Sequence, residues 1–253
     1  MSRDCFTLTR AGEGRLILTH NGAEHDFVFP NTGNLNDIVL EVLTGKEYPM
    51  LQIPGWSPRT IIDIGANVGA SAVLFGLVFP EARLIAYEPS PSSAEFLHKN
   101  TAWLPQVEVH QVGLFDAPGK QKLYIGTVQC AQASLAQSIE TRSDSFEEIS
   151  LVRAREALAG ELNGPVVIKM DTEGAETNIL RDLGDLVDQV DLFYFEYHSE
   201  RDRREIDRML AERFKMWRSS AGFVHRGTSA YLHNRVLEAV PQLNVLEIPP
   251  ISL

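Results

Sequence analysis

The sequence predicts an α/β domain built on a mostly parallel sheet. Three observations carry that reading. From Arg59 onward, short apolar runs alternate with helical stretches, the pattern of strands joined by helical crossovers. The first run, Thr60-Ile61-Ile62-Asp63-Ile64, is rich in β-branched residues and reads as a strand buried on both faces. It opens into Gly65-Ala66-Asn67-Val68-Gly69-Ala70-Ser71, a small-residue turn ahead of the apolar helix Ala72–Phe79. Such a corner lets backbone approach a ligand closely and presents the unpaired N–H groups of a helix start.

Ahead of the corner, Arg15–Thr19 and Asp26–Phe29 flank Asn21-Gly22, a hairpin signal. Leu35, Ile38, Val39, Val42 and Leu43 fall at helical spacing and predict one apolar helix face, with Gly45 suited to its C-cap. Residues 1–50 are read as a cap that covers the site or pairs two subunits as a homodimer. Residues 51–239 form the main domain and residues 240–253 an extended tail carrying Pro241, Pro249 and Pro250. After the corner come a strand at Arg83–Glu88, a helix through Phe96 and Leu97, and a strand at Val107–Val112. Lys120–Ile125 reads as an added edge strand, and the polar stretch 126–143 as a lid. Ser143–Leu162 is expected to be helical, with Phe146, Ile149, Val152, Ala157 and Leu158 inward. Strands at Val166–Asp171 and Val190–Glu196 follow, separated by a helix over Glu173–Leu186. A helix over Arg201–Phe214 and strands at Lys215–Trp217 and Ala230–His233 complete the sheet.

Composition narrows the functional classes. The 253 residues are 44% hydrophobic, ordinary for a globular chain. A formal net charge of −11 argues against a nucleic-acid partner, which needs a basic face. Arg201, Arg203, Arg204 and Arg208 alternate with Glu200, Asp202, Glu205 and Asp207, which reads as a solvated helix face. Cys5 and Cys130 form no C-x-x-C pair, which fits a reducing cytosol. No apolar signal segment follows Met1, and the apolar stretch Ala70–Phe79 is too short to span a bilayer. A cytoplasmic protein without a membrane span is expected.

In an open α/β sheet the ligand sits outside the carboxyl ends of the strands. The first strand delivers Asp63, Gly65, Asn67 and Gly69 there. A dinucleotide would need a second glycine where Asn67 stands, and Asp63 is poorly placed beside phosphates. S-adenosylmethionine (SAM) has no phosphate and carries an ammonium group, so an acid at the strand end favours it. Glu88, roughly 20 residues beyond the turn, is placed to accept both ribose hydroxyls. Gly113 and Leu114 are small and apolar enough to flank an adenine. Lys169-Met170-Asp171-Thr172-Glu173-Gly174-Ala175-Glu176 then sets three carboxylates at the mouth of a buried strand, costly unless they meet cations or protons. Glu196-Tyr197-His198 adds a group that titrates near neutrality.

Asp63-Ile64-Gly65-Ala66-Asn67-Val68-Gly69, Glu88-Pro89 and the block from Lys169 to Glu176 together resemble the FkbM-type SAM-dependent methyltransferases. The resemblance runs from about Tyr48 to His233 and includes Gly45-Lys46-Glu47-Tyr48, which brings Tyr48 to the cofactor. It implies a Rossmann-like class I methyltransferase sheet, mostly parallel and seven-stranded with an antiparallel last strand, beneath the N-terminal hairpin and helix. The implied activity is O-methylation of a sugar, glycolipid or polyketide-type acceptor. The long segment from Ser143 and the N-terminal hairpin depart from the family pattern, so the acceptor is not carried over. A hydroxyl loses its proton as it attacks, which asks for a base. His198 is the first candidate, with Asp171 and Glu173 as rivals, while Glu176 suits the N-terminal end of the following helix. The alternative for Asp171, Glu173 and His198 is a magnesium or manganese site, less favoured than metal-free transfer. N-methylation of a peptide side chain, an NAD-dependent oxidoreductase and a non-catalytic SAM-binding module are the competing functions.

Overall fold

The β-branched run at the glycine turn forms the centre of the molecule because it can be buried from both sides. The computed structural model describes residues 6–31, 35–125, 133–134, 146–223, 225–239 and 246–247. The chain begins with a three-stranded antiparallel meander, β1 (Thr7–Gly12), β2 (Arg15–His20) and β3 (Ala23–Val28), so the expected hairpin gains a strand at its front. Its second turn holds Asn21 at φ 50° and Gly22 at φ 79°, the backbone that the Asn-Gly pair specifies. Helix α1 (Leu35–Leu43) follows, ending before Gly45 at φ 77°. Its buried face is Leu35, Val39, Leu40, Val42 and Leu43. Ile38, expected inward, is instead exposed and borders the large cavity described below.

After the short strand β4 (Leu51–Gln52), the chain enters the alternating part. Its elements are β5 (Thr60–Ile64), α2 (Ala70–Val78), β6 (Arg83–Tyr87), α3 (Pro91–Thr101) and β7 (Val107–His110). Every residue of β5 is buried. Ile62 and Ile64 pack into the core on one side of the sheet, and Ile61 packs with α1 and α2 on the other. The N-terminal meander shares that second core and is fastened to the domain by Asn100. The Asn100 side chain donates to the carbonyls of Val28 and Val68, both at 2.8 Å, and accepts from the Val28 N–H at 2.8 Å.

Next comes a smaller sheet of β8 (Gly113–Phe115), β9 (Gly119–Ile125), β10 (Ala133–Ser134) and β11 (Phe146–Arg153), in the order β10-β9-β11-β8. The expected strand at Val107–Val112 therefore ends at His110, and the next strand starts a second sheet. Lys120–Ile125 lies within that sheet rather than on the edge of the first. The expected helix from Ser143 to Leu162 is a correction. Residues Phe146–Arg153 are a strand, and only α4 (Ala154–Leu158) is helical. Phe146, Ile149 and Val152 fit a helical face by spacing, but Ile149 and Leu151 are buried while Phe146, Glu148 and Ser150 are exposed. That alternation of period two lets β11 pair with β9 along its length. The expected lid at 126–143 lies outside the described residues apart from β10.

The chain returns to the large sheet with β12 (Val166–Met170), α5 (Glu176–Leu183), a 3-10 turn over Gly184–Gln189, β13 (Leu192–Tyr197) and α6 (Glu200–Leu210). It closes with β14 (Phe214–Phe223) and β15 (Arg226–His233), longer than the sequence suggested, then α7 (Asn234–Ala239) and β16 (Leu246–Glu247), which pairs with β4. Apart from β16, the expected tail lies outside the described residues. Two arginines of α6 meet acids on their own helix, Arg203 standing 2.7 Å from Asp207 and 3.1 Å from Glu200, and Arg204 3.5 Å from Glu200. The large sheet has seven strands in the order β14-β15-β13-β12-β5-β6-β7. Only β15 runs against its neighbours, so the sheet is the predicted one: mostly parallel, with an antiparallel last strand. Among the described residues no helix is long and apolar enough to cross a membrane.

Candidate active site

A cavity of about 510 Å³ opens at the carboxyl ends of β5, β6, β12 and β13, a volume ordinary for a small-molecule site. The turn after β5 forms its floor. Gly65 has φ 78°, and a Cβ placed there would stand 1.8 Å from the Asp171 carbonyl oxygen. Only glycine lets the turn pass the end of β12 so closely. Asn67 is left-handed at φ 49°, and Gly69, at φ 92° as the N-cap of α2, packs on Leu97 rather than bordering the cavity.

Glu88 is held between two loops. Its Oε2 accepts the Asn67 N–H and its Oε1 the Ser90 N–H, both at 2.8 Å. Burial raises its carboxyl to about 7, although those two N–H groups and Lys169 pull the other way. Beside it the cavity is apolar, walled by Pro89, Gly113, Leu114, Leu123, Ile149 and Leu151. Gly113 and Leu114 are where the sequence put them. Ile149 and Leu151 were missed, because they reach the wall only when their segment is a strand.

Asp63, expected to face a ligand amine, is not on the cavity wall. It is 0% exposed. On a strand buried from both sides, Asp63 faces opposite to Ile62 and Ile64, toward α2, where its Oδ2 accepts from Ser71 Oγ at 2.6 Å. Lys169 is its register partner on β12 and places Nζ 3.2 Å from Asp63 Oδ1. The same ammonium donates to the Gly65 carbonyl at 2.7 Å and lies 3.7 Å from Asp171 Oδ2. Burial works against that charge, but Asp63 and Asp171 outweigh it and raise the Lys169 pKa. Sequence reasoning left Lys169 without a role.

The far end of the cavity is lined with carboxylates: Glu47, Asp171, Glu173 and Glu196, with Asp37 and Glu41 of α1 above them. Tyr48 is buried on this wall and its hydroxyl donates to Asp171 Oδ2 at 3.2 Å. Asp171 is held below the usual carboxylate range, since Lys169 and His198 outweigh its burial. Burial, then the charges of Asp171 and Glu41, push Glu47 up to about 7. Burial and Asp171 likewise raise Glu196 well above its ordinary value. Glu173, left-handed at φ 54°, lies 3.2 Å from Arg226 and 3.0 Å from His198 Nε2. Glu176 starts α5 and accepts from Thr172 N at 2.7 Å, Thr172 Oγ at 2.9 Å and Gly174 N at 3.1 Å.

His198, the first candidate for the base, stands behind this wall and does not border the cavity. Burial would lower its pKa, but Glu173, Glu196 and Asp171 outweigh it and lift the group to about 9. Held at that pKa by its acids and set behind the wall, it is not placed to take a proton from a hydroxyl in the cavity.

The turn after β5, Glu88 on the next strand and the Lys169–Glu176 segment thus converge on one cavity. A family model described as the methyltransferase FkbM domain matches residues 63–224, which include all three. The chain belongs to the FkbM methyltransferase family. Its relatives include the hexuronic acid methyltransferase AglP of Haloferax volcanii, 24% identical over 154 residues. That match covers 59% of this chain and 60% of AglP. The methyltransferase sdnD of Sordaria araneosa is 28% identical over 139 residues, covering 54% of this chain and 51% of that protein. The chain thus spans between half and two thirds of the length of these two relatives. Among solved structures, fibrillarin of Aeropyrum pernix with bound SAM aligns at a TM-score of 0.46 and 11% identity, over 89% of this chain and 98% of that one.

Proposed function

We propose that this chain transfers a methyl group from SAM to a hydroxyl of a sugar-like acceptor. One observation carries the reading: a single cavity with an apolar slot beside Glu88 at one end and a carboxylate wall at the other. The slot between Leu114, Ile149 and Leu151 suits a flat base, and Glu88 keeps a lone pair on each oxygen for a ribose hydroxyl. Asp63 shapes the turn through Lys169 instead of meeting the cofactor amine. The polar end, with Glu173, Arg226 and Thr228, offers the mixed donors and acceptors that a hydroxyl-rich molecule needs. The hexuronic acid relative agrees with such an acceptor.

When bound, SAM supplies a sulfonium methyl that is already electrophilic, so the protein's task is alignment and removal of a proton. Among the wall carboxylates Glu47 is best matched to that removal, since its affinity for a proton lies near working pH. It takes the hydroxyl proton as the new O–C bond forms and the C–S electron pair stays on sulfur. Asp171, held low by Lys169, is a weaker base, and Glu173 is occupied by Arg226 and His198.

The test is incubation with SAM and a panel of uronic acids, neutral glycosides and peptide amines, read by S-adenosylhomocysteine release and intact mass. Methylated glycoside is the expected product, lost in Glu47→Gln while SAM binding persists. Methylated amine would replace the hydroxyl acceptor. SAM binding with no product across the panel would leave a non-catalytic module.

A further inference from the structure

Asp171, Glu196 and His198 are the one group of three such side chains among the described residues whose donor atoms all lie within 4.8 Å of one another. Chain geometry brings them together. Asp171 follows the last residue of β12, and Glu196 lies on β13 one step beyond the Met170–Phe195 register pair. His198 follows the end of β13 and brings Nε2 3.5 Å from Glu196 Oε1. Two carboxylates are thereby brought together in a half-buried place, with Glu47 and Glu173 close by. Of the nearby cations, Arg226 pairs with Glu173, and Lys169, bound to Asp63 and the Gly65 carbonyl, also stands 3.7 Å from Asp171, so among the described residues Glu196 has His198 alone beside it. Of the His198 ring nitrogens, Nε2 faces these acids, 3.5 Å from Glu196 Oε1 and 3.0 Å from Glu173 Oε2, while the buried Nδ1 hydrogen-bonds to nothing.

We infer that Asp171, Glu196 and His198 bind a first-row divalent cation of the Mn²⁺ kind. Two carboxylate oxygens and one imidazole nitrogen suit such an ion, since carboxylates favour Mn²⁺ and the imidazole favours transition metals over Mg²⁺. The set differs from the one expected from sequence, because Glu173 is engaged by Arg226 while Glu196 takes its place. Asp171 and Glu196 border the cavity. An ion between them keeps coordination positions open toward it, where a hydroxyl and a neighbouring acceptor oxygen can bind. This use of the ion rests on the acceptor reading above; the site itself does not.

The direct test is titration of the full chain with MnCl₂ and no SAM, read by loss of the free Mn²⁺ paramagnetic resonance signal. One saturable ion per chain is expected. Glu196→Gln and His198→Ala should each weaken it about ten-fold or more, and Glu41→Gln, at the cavity rim, should leave it unchanged. SAM calorimetry on the same variants shows that they are folded. No binding at roughly millimolar Mn²⁺, a concentration that fills even weak protein sites, overturns the inference. So does equal weakening by Glu41→Gln, which would mean a diffuse acidic surface. Mn²⁺ bound as expected with no methyl transfer to any acceptor upholds the site and removes the acceptor reading. Turnover that survives EDTA unchanged overturns the ion's part in acceptor binding.

Discussion

Lys169→Met is the sharpest test of how the site is built. The substitution keeps an unbranched apolar stem and deletes an ammonium that sits 3.2 Å from Asp63 Oδ1 and donates to the Gly65 carbonyl at 2.7 Å. Asp63 and Lys169 are 0% and 2% exposed, so solvent screening does not soften the loss. Removing one member of a buried pair strands the other, at a cost of about 3–5 kcal/mol. For a chain of this length that lowers the melting temperature by roughly 6–20 °C. The Ser71 hydroxyl remains on Asp63 and keeps the loss toward the lower end. Adding Asp63→Asn removes the stranded charge, and the double variant should recover most of the stability. Urea unfolding followed by circular dichroism gives both values. A single variant within about 1 kcal/mol of the parent, or a double variant no better than the single, would refute the argument that Lys169 is there to neutralise Asp63.

Gly65→Ala should be worse than its size suggests: the left-handed backbone costs about 1–2 kcal/mol, and the new Cβ must push the Asp171 carbonyl aside. Turnover should fall roughly a hundred-fold, and steady-state kinetics near parental values would contradict that crowding. Glu88 gives a pH dependence. Its carboxyl is raised from 4.5 to about 7, so the folded state holds the proton more tightly and this group's contribution to stability declines as pH rises from 4.5 to 7. If Glu88 holds the ribose as proposed, its ionised form is the acceptor, so SAM affinity measured by calorimetry should strengthen from pH 6 to pH 8, and Glu88→Gln should flatten the profile. Asn100→Ala strips partners from both polar groups of Val28 and from the Val68 carbonyl, a loss of about 3 kcal/mol. Hydrogen exchange over residues 23–28 should quicken, and an unchanged pattern would show that the meander is held by its apolar face alone.

The sequence was informative wherever a local pattern had one structural solution. Thr60–Ile64 is too short and too β-branched for anything but a doubly buried strand, and the glycines after it fix the turn. Glu88 reaches the cavity because it stands just past the end of β6, and Gly113 and Leu114 because they open β8. Reading failed where two periods fitted the same residues, as at Phe146–Arg153, where pairing with the remote β9 decided the outcome. It failed again where a side chain's direction depends on a neighbouring strand. Asp63 looked like a ligand because it ends a strand, yet its strand phase turns it toward Ser71 and Lys169. Glu47 and Glu196 were passed over because what distinguishes them is the crowding of acids from separate segments, which no local motif records.

The grip of Lys169 on the Gly65 carbonyl has a consequence for the layout of the cavity. One ammonium fastens the turn at the floor of the cavity, while the next residue but one, Asp171, stands on its carboxylate wall. The two parts of the cavity therefore share a common pivot inside the sheet, and their spacing is set by the sheet itself. The rim above that frame is left to Ile38 and Glu41, which belong to the N-terminal segment.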